Sequence, residues 1–152
     1  MKKLLLVLSL FLFSTVTSFA CRCAEPRGSL SEQVTAANKN TDVIFTGKVV
    51  GKKEVNIESV DSFNYVFEIS EEIKGNLVKK TVEIGSEFYG GSCDYYFEVG
   101  KTYLVYARKS TAPSNDLAEN STYVTTLCDR NQEARYVEAE ELEVLRKMVK
   151  KG

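Results

Sequence analysis

Phe63-Asn64-Tyr65-Val66-Phe67-Glu68-Ile69-Ser70 is the stretch on which the fold turns. Phe63, Tyr65, Phe67 and Ile69 alternate with Asn64, Val66, Glu68 and Ser70. Side chains on a strand point to opposite faces in turn, so this period of two predicts a half-buried β-strand. Downstream, Gly75-Asn76 predicts a turn, and Thr81 to Ile84, closed by Gly85, a second strand. Upstream, Val43 to Val50 is β-branched and apolar, with Gly47 inside it and Gly51 after it. A glycine inside a strand predicts a bulge or tight bend. Thr102 to Arg108 predicts another strand. Ser121 to Cys128 predicts the last, with Tyr123, Thr125 and Leu127 on one face and Thr122, Val124 and Thr126 on the other. Residues 86–100, around Cys93, and Ala112-Pro113-Ser114-Asn115-Asp116 read as loops.

A helix is expected at each end of this run. Ser29 precedes Glu32 by three positions, a capping box, and Leu30, Val34 and Ala37 form one apolar stripe, which predicts a helix from Leu30 to Asn38. From Glu133 to Lys150, Leu142, Leu145 and Val149, with Met148 beside them, form the stripe of a second. Glu138, Glu140 and Glu141 lie early in it and Lys147, Lys150 and Lys151 late, the order the helix dipole favours. Five short strands between two helices predict a mainly β fold: a five-stranded antiparallel OB-like Greek-key barrel with flanking N- and C-terminal helices. The pattern equally allows a small sandwich. Eight Phe and eight Tyr are enough to fill such a core.

The first 20 residues read as a separate segment. Lys2 and Lys3 precede an apolar run from Leu4 to Phe13, and Ser18-Phe19-Ala20 offers small residues at the two positions a signal peptidase reads. The expectation is a secretory signal peptide at 1–20, a single domain at 21–152, and a secreted protein, extracellular or periplasmic. The apolar run is shorter than the about 20 residues a permanent transmembrane helix needs. A rival reading makes Cys21 a lipidation site, but Ser18 stands where leucine is usual and Phe19 where a small residue is.

Cys21, Cys23, Cys93 and Cys128 all lie beyond that segment. Export makes disulfides their expected state, and four cysteines allow three pairings. Cys21 and Cys23 are too close to pair comfortably with each other, so each is expected to reach Cys93 or Cys128. A four-cysteine zinc site usually shows two close pairs, and here only one pair is close, so no intrinsic metal is expected.

The chain carries 20 basic and 21 acidic residues. Loss of Lys2 and Lys3 with the leader takes the net charge from −1 to −3. That balance gives no electrostatic case for nucleic acid or anionic membranes. There is no histidine, which removes Ser-His-Asp and Cys-His catalysis and histidine metal sites. No enzyme and no cofactor is expected, and the chain is read as a monomer. Asn120-Ser121-Thr122 is a glycosylation sequon that matters only in a eukaryotic secretory pathway.

Several stretches, in order, resemble one family. Cys21-Arg22-Cys23-Ala24-Glu25-Pro26 resembles the Cys-x-Cys start of the tissue inhibitors of metalloproteinases. Asp42 to Gly51 looks like that family's first strand, and Ile73-Lys74-Gly75 like its lysine-glycine turn. Ser92-Cys93-Asp94-Tyr95 followed by Phe97-Glu98-Val99-Gly100-Lys101-Thr102-Tyr103-Leu104-Val105-Tyr106 is similar to the netrin-module pattern, as is Thr125-Thr126-Leu127-Cys128. The similarity spans nearly all of 21–145. It lacks the family's third inhibitory-domain disulfide and its cysteine-rich C-terminal subdomain.

The resemblance implies a netrin-like barrel and the pairings Cys21–Cys93 and Cys23–Cys128. It also implies a function: the Cys21 amine and carbonyl oxygen would chelate the catalytic zinc of a target metalloprotease. Arg22 would enter the pocket beside that zinc, and Cys23, Ala24, Gly91 and Ser92 would contact the protease. Arg22 departs from the small Ser or Thr usual there. The alternative is a non-inhibitory extracellular netrin-like protein-binding module.

Overall fold

The computed structural model describes residues 21–57, 60–86, 93–110 and 123–149. The leader segment, Gly91, Ser92, the sequon and the first two residues of the expected fifth strand lie outside them. After an irregular stretch at 21–29, α1 (Leu30–Lys39) leads into β1 (Val43–Ile57), β2 (Val60–Lys74), β3 (Thr81–Ser86), β4 (Thr102–Lys109), β5 (Tyr123–Thr125) and β6 (Gln132–Glu133). A 3-10 turn, Ala134–Tyr136, precedes α2 (Ala139–Val149).

Five strands close a barrel in the order β1-β2-β3-β5-β4, with β4 pairing back onto β1. The sheet is mixed, because β3 and β5 run parallel through Ile84↔Tyr123, Gly85↔Val124 and Ser86↔Thr125. The expected purely antiparallel barrel is thereby corrected, and parity gives the reason. Directions cannot alternate all the way round a ring of five, so one neighbouring pair must be parallel.

The core divides in two. Val43, Phe45, Val49, Tyr65, Phe67, Ile84, Phe97, Tyr103, Val105 and Ala107 pack together inside the barrel. Val34, Ile44, Ile73, Leu104, Tyr106 and Leu145 form a second cluster, where the helices cover the outside of β1 and β4. This explains the two kinds of strand sequence. β1 and β4 are buried on both faces and read as unbroken apolar runs, Val43-Ile44-Phe45 and Tyr103 to Ala107. β2 turns Glu68 and Ser70 to solvent and so alternates. The aromatics concentrate on Phe97, whose ring centre lies 4.9 Å from Phe67, 5.0 Å from Tyr103 and 5.2 Å from Tyr65. Edge-on pairs at such distances suit the charge distribution of aromatic rings.

Several boundaries differ from expectation. The β1–β2 ladder continues past Gly51 to Ile57↔Val60, although Lys52-Lys53-Glu54 carries no apolar signal. Cross-strand partners extend it: the Lys52 ammonium lies 3.3 Å from the Phe63 ring centre, and Lys53 pairs with Glu83 at 2.7 Å. Gly47 does stand at an irregularity, since the register shifts between Thr46 and Gly47.

β5 stops at Thr125, and β6 resumes alongside β4 at Gln132↔Leu104. Residues 126–131 are an excursion from one broken strand. Its gap falls opposite Tyr106, whose backbone N–H donates to Asn131 Oδ1 at 2.9 Å and whose carbonyl accepts from Thr125 Oγ1 at 2.9 Å. Two side chains thus replace the missing ladder bonds, which buried backbone groups require. The last helix begins at Ala139 rather than Glu133, because Gln132 and Glu133 are used in the sheet. Its buried face is Glu141 and Leu145, while Val149 is exposed.

Candidate functional site: a doubly pinned N-terminal strap

Residues 21–28 form an irregular strap against the barrel. Proline at 26 and glycine at 28 (φ +86°) keep it from joining α1. Of the three pairings open to four cysteines, the structure has Cys21–Cys93 and Cys23–Cys128, with Cα atoms 5.1 and 5.2 Å apart. Two bonds two residues apart leave the backbone between them little freedom. Arg22, held between them, points its side chain into solvent, and Ala24 is exposed too.

Both anchors rest on fixed structure. Cys93 lies four residues before Phe97, the buried centre of the aromatic cluster, and Glu98 donates its backbone N–H to the Tyr103 hydroxyl at 3.1 Å. Cys128 lies on the excursion, which Asp129 organises. The Asp129 carboxylate accepts from the Thr126 N–H at 2.7 Å, from the Thr126 and Thr125 hydroxyls, and from Arg108 at 3.1 Å. The anchors are also joined to each other, because Leu127 donates its N–H to the Cys93 carbonyl at 2.7 Å.

The far end of the strap is tied to a buried charge network. Gln33 Nε2 donates to the Gly28 carbonyl at 3.0 Å, and Gln33 Oε1 accepts from Arg130 at 3.0 Å. Arg130 then forks onto the Glu141 carboxylate at 3.2 and 2.7 Å, where the Tyr106 hydroxyl also donates at 2.6 Å. The Glu141 bond raises the Arg130 pKa further above its ordinary value. Burial, then the Glu141 hydrogen bond, pushes the Tyr106 hydroxyl far above its usual range. At Ser29 the capping box is complete: Ser29 N–H donates to Glu32 at 2.7 Å, and Glu32 N–H donates back to the Ser29 hydroxyl. The bond from the Ser29 backbone first, and then the Ser29 hydroxyl donating to the same carboxylate at 2.9 Å, lower the Glu32 pKa.

The strap borders an open groove lined by Arg22, Cys23, Ala24, Glu25, Arg27 and Ala36. Glu25 and Arg27 follow in the same irregular stretch, yet nothing in the sequence marks them as groove residues. Ala36 joins them only because this face of α1 turns toward the strap. Leu127, beside the Cys128 anchor, is 47% exposed and lies past the end of β5, outside the strand face expected for it with Tyr123 and Thr125. Among the described residues, no three of His, Cys, Asp and Glu gather to hold a metal ion. No helix among them is long and apolar enough to cross a membrane. The arrangement leaves an irregular, doubly cross-linked main chain at the surface, with the exposed Arg22 on it. No protein-family model matches the chain, and no curated protein matches it.

Proposed function

We propose that this is a secreted inhibitor-like protein directed at zinc metalloproteases, acting through the strap. Removal of residues 1–20 would turn the Cys21 backbone nitrogen into an α-amine. That amine and the Cys21 carbonyl oxygen are a nitrogen and an oxygen donor one residue wide, a pair suited to the open position of a catalytic zinc. An α-amine has a reference pKa of about 8, so giving up its proton to metal costs little near neutrality. The observation that carries the reading is the double pinning of Cys21 and Cys23 to anchors that are themselves fixed. A chain end ordered in advance loses less entropy on binding. The strand order, with its single parallel pair, supports an OB-like and netrin-like assignment of the barrel.

One observation favours a second reading, a non-inhibitory extracellular netrin-like binding module. Val78 is 92% exposed, in an open groove that it lines with Leu77, Val82, Tyr123, Lys53 and Glu83. A partner bound there would not need the chain end.

The test compares protein beginning at Cys21 with protein carrying one extra alanine before it, against a panel of zinc endopeptidases. Inhibition by the first alone supports chelation by Cys21. Equal inhibition by both places the contact elsewhere on the barrel. No inhibition by either, with both disulfides confirmed by intact mass, leaves the binding module.

A further inference from the structure

The connection from β2 to β3 is a short loop, Gly75 to Lys80. Its ends are fixed. At Gly75 the backbone turns with φ +122°, and a Cβ there would lie 2.8 Å from Val43 Cγ1. Lys74, just before it, donates to the Asn38 and Thr41 carbonyls. At the other end the Lys80 carbonyl accepts from the Ile69 N–H at 2.9 Å, and Thr81 pairs with Glu68. Between these ends the main chain is open. Among the described residues, the backbone of 76–79 is held only by the Leu77 N–H, which donates to the Glu72 carboxylate at 3.3 Å. Val78 is 92% exposed, and Lys79 and Lys80 beside it are exposed too.

A protease needs free backbone groups around the bond it cuts, which strands and helices withhold and exposed loops offer. An enzyme of the trypsin class also needs a cation before that bond. Other cations fail one condition or the other. Lys48, Lys52 and Lys53 lie within the β1 ladder, the Lys74 ammonium is engaged, and Arg22 stands between two disulfides. Residues 87–92 and 111–122 contain no lysine or arginine. We propose that the β2–β3 loop is a processing site, cut between Lys79 and Lys80 by a trypsin-class serine endoprotease. Water adds across that peptide bond, leaving a carboxylate on Lys79 and an ammonium on Lys80. Cys21 and Cys23 lie before the cut and Cys93 and Cys128 after it, so both disulfides join the two pieces. The ladders of β2 with β1 and β3 remain. Cleavage therefore spares the strap and acts on the groove beside β3, where Leu77, Val78 and Lys79 form part of the lining. The site does not depend on what the strap binds.

The experiment treats protein beginning at Cys21, both disulfides closed, with a trace of trypsin in native buffer. Products are read by mass before and after reduction, beside the Lys79→Gln and Lys79→Arg variants. Reduced and alkylated protein is the control for enzyme activity. The first cut within 21–145 is expected at Lys79–Lys80. The unreduced mass should rise by one water, reduction should release chains ending at Lys79 and beginning at Lys80, and circular dichroism should be unchanged. Lys79→Gln should lose the cut at this bond and Lys79→Arg keep it. An earlier cut elsewhere within 21–145, the strap's Arg27–Gly28 bond included, would overturn the proposal. So would a native chain left intact while the reduced control is fully digested, or loss of the barrel's circular dichroism on cutting.

Discussion

Glu141 is 2% exposed and faces three donors, two on Arg130 and one on Tyr106. Removing one partner of a buried ion pair strands the other, which typically costs about 3–5 kcal/mol. Glu141→Ala is therefore expected to lose stability on that scale in urea unfolding. Tyr106→Phe deletes a single hydroxyl bonded to a charged group, at about 1.5–3 kcal/mol. A smaller loss for Glu141→Ala than for Tyr106→Phe would mean that water reaches the network. None of this is visible in the sequence, where Glu141 reads as one of three acids complementing a helix dipole. Its burial depends on Arg130 arriving from a turn 11 residues away. Gly47 is the contrasting case, since an interior glycine is legible by itself. A Cβ there would lie 2.9 Å from the Glu68 carbonyl oxygen and 3.1 Å from the Phe45 ring. Gly47→Ala is expected to cost about 1–3 kcal/mol by overpacking, against no more than about 0.5 kcal/mol for the exposed Arg22→Ala; thermal denaturation of the pair separates them.

Elements whose signals are local can be read, and those made by pairing cannot. α1 is set by its capping box and its stripe, both within ten residues, and the structure adds only Lys39 to the expected span. The outer half of the β1–β2 hairpin has no such pattern, because Lys52, Lys53 and Glu54 are held by partners on other strands. Each helix has one exposed carboxylate at work: Glu32 caps α1 and Glu71 on β2 holds α2. Ser29 lowers the Glu32 pKa, and Arg146, bonded to Glu71 at 3.0 and 2.8 Å, lowers the Glu71 pKa. A carboxylate whose folded pKa is depressed binds its proton more weakly in the folded state. Its contribution is present above the unfolded value, about 4.3, and is lost as pH falls through the folded value. Urea midpoints should therefore decline below about pH 4, with the decline shallower in Glu32→Gln, which removes one of the titrating carboxylates. Ser29→Ala should also lower stability by about 1 kcal/mol at neutral pH. An unaltered acid limb in Glu32→Gln would assign the decline to other carboxylates.

At the scale of the molecule, alkaline pH and disulfide closure act on the whole barrel. Tyr65 and Tyr95 are raised chiefly by burial, as Tyr106 is. A raised folded pKa favours the protonated native hydroxyl, so this stability is full below about pH 10 and drains away above it. Tyr106→Phe should flatten that alkaline limb, a change seen by following unfolding midpoints between pH 9 and 11.

The two disulfides span sequence separations of 72 and 105 residues. On the chain-entropy account, each long loop closed in the unfolded state contributes about 4–5 kcal/mol, and the cost of closure grows only as the logarithm of loop length. The ratio of the two separations is then worth about 0.3 kcal/mol. The Cys21→Ser/Cys93→Ser and Cys23→Ser/Cys128→Ser double variants are expected to lose nearly equal stability, because the native contacts holding each anchor survive in both. Urea unfolding at pH 7 measures the difference. If the Cys128 variant lost more by well over 1 kcal/mol, the native state itself would have changed. The Asp129-centred excursion would then depend on its disulfide, and the fixed anchor that the strap needs would be made by the bond rather than met by it.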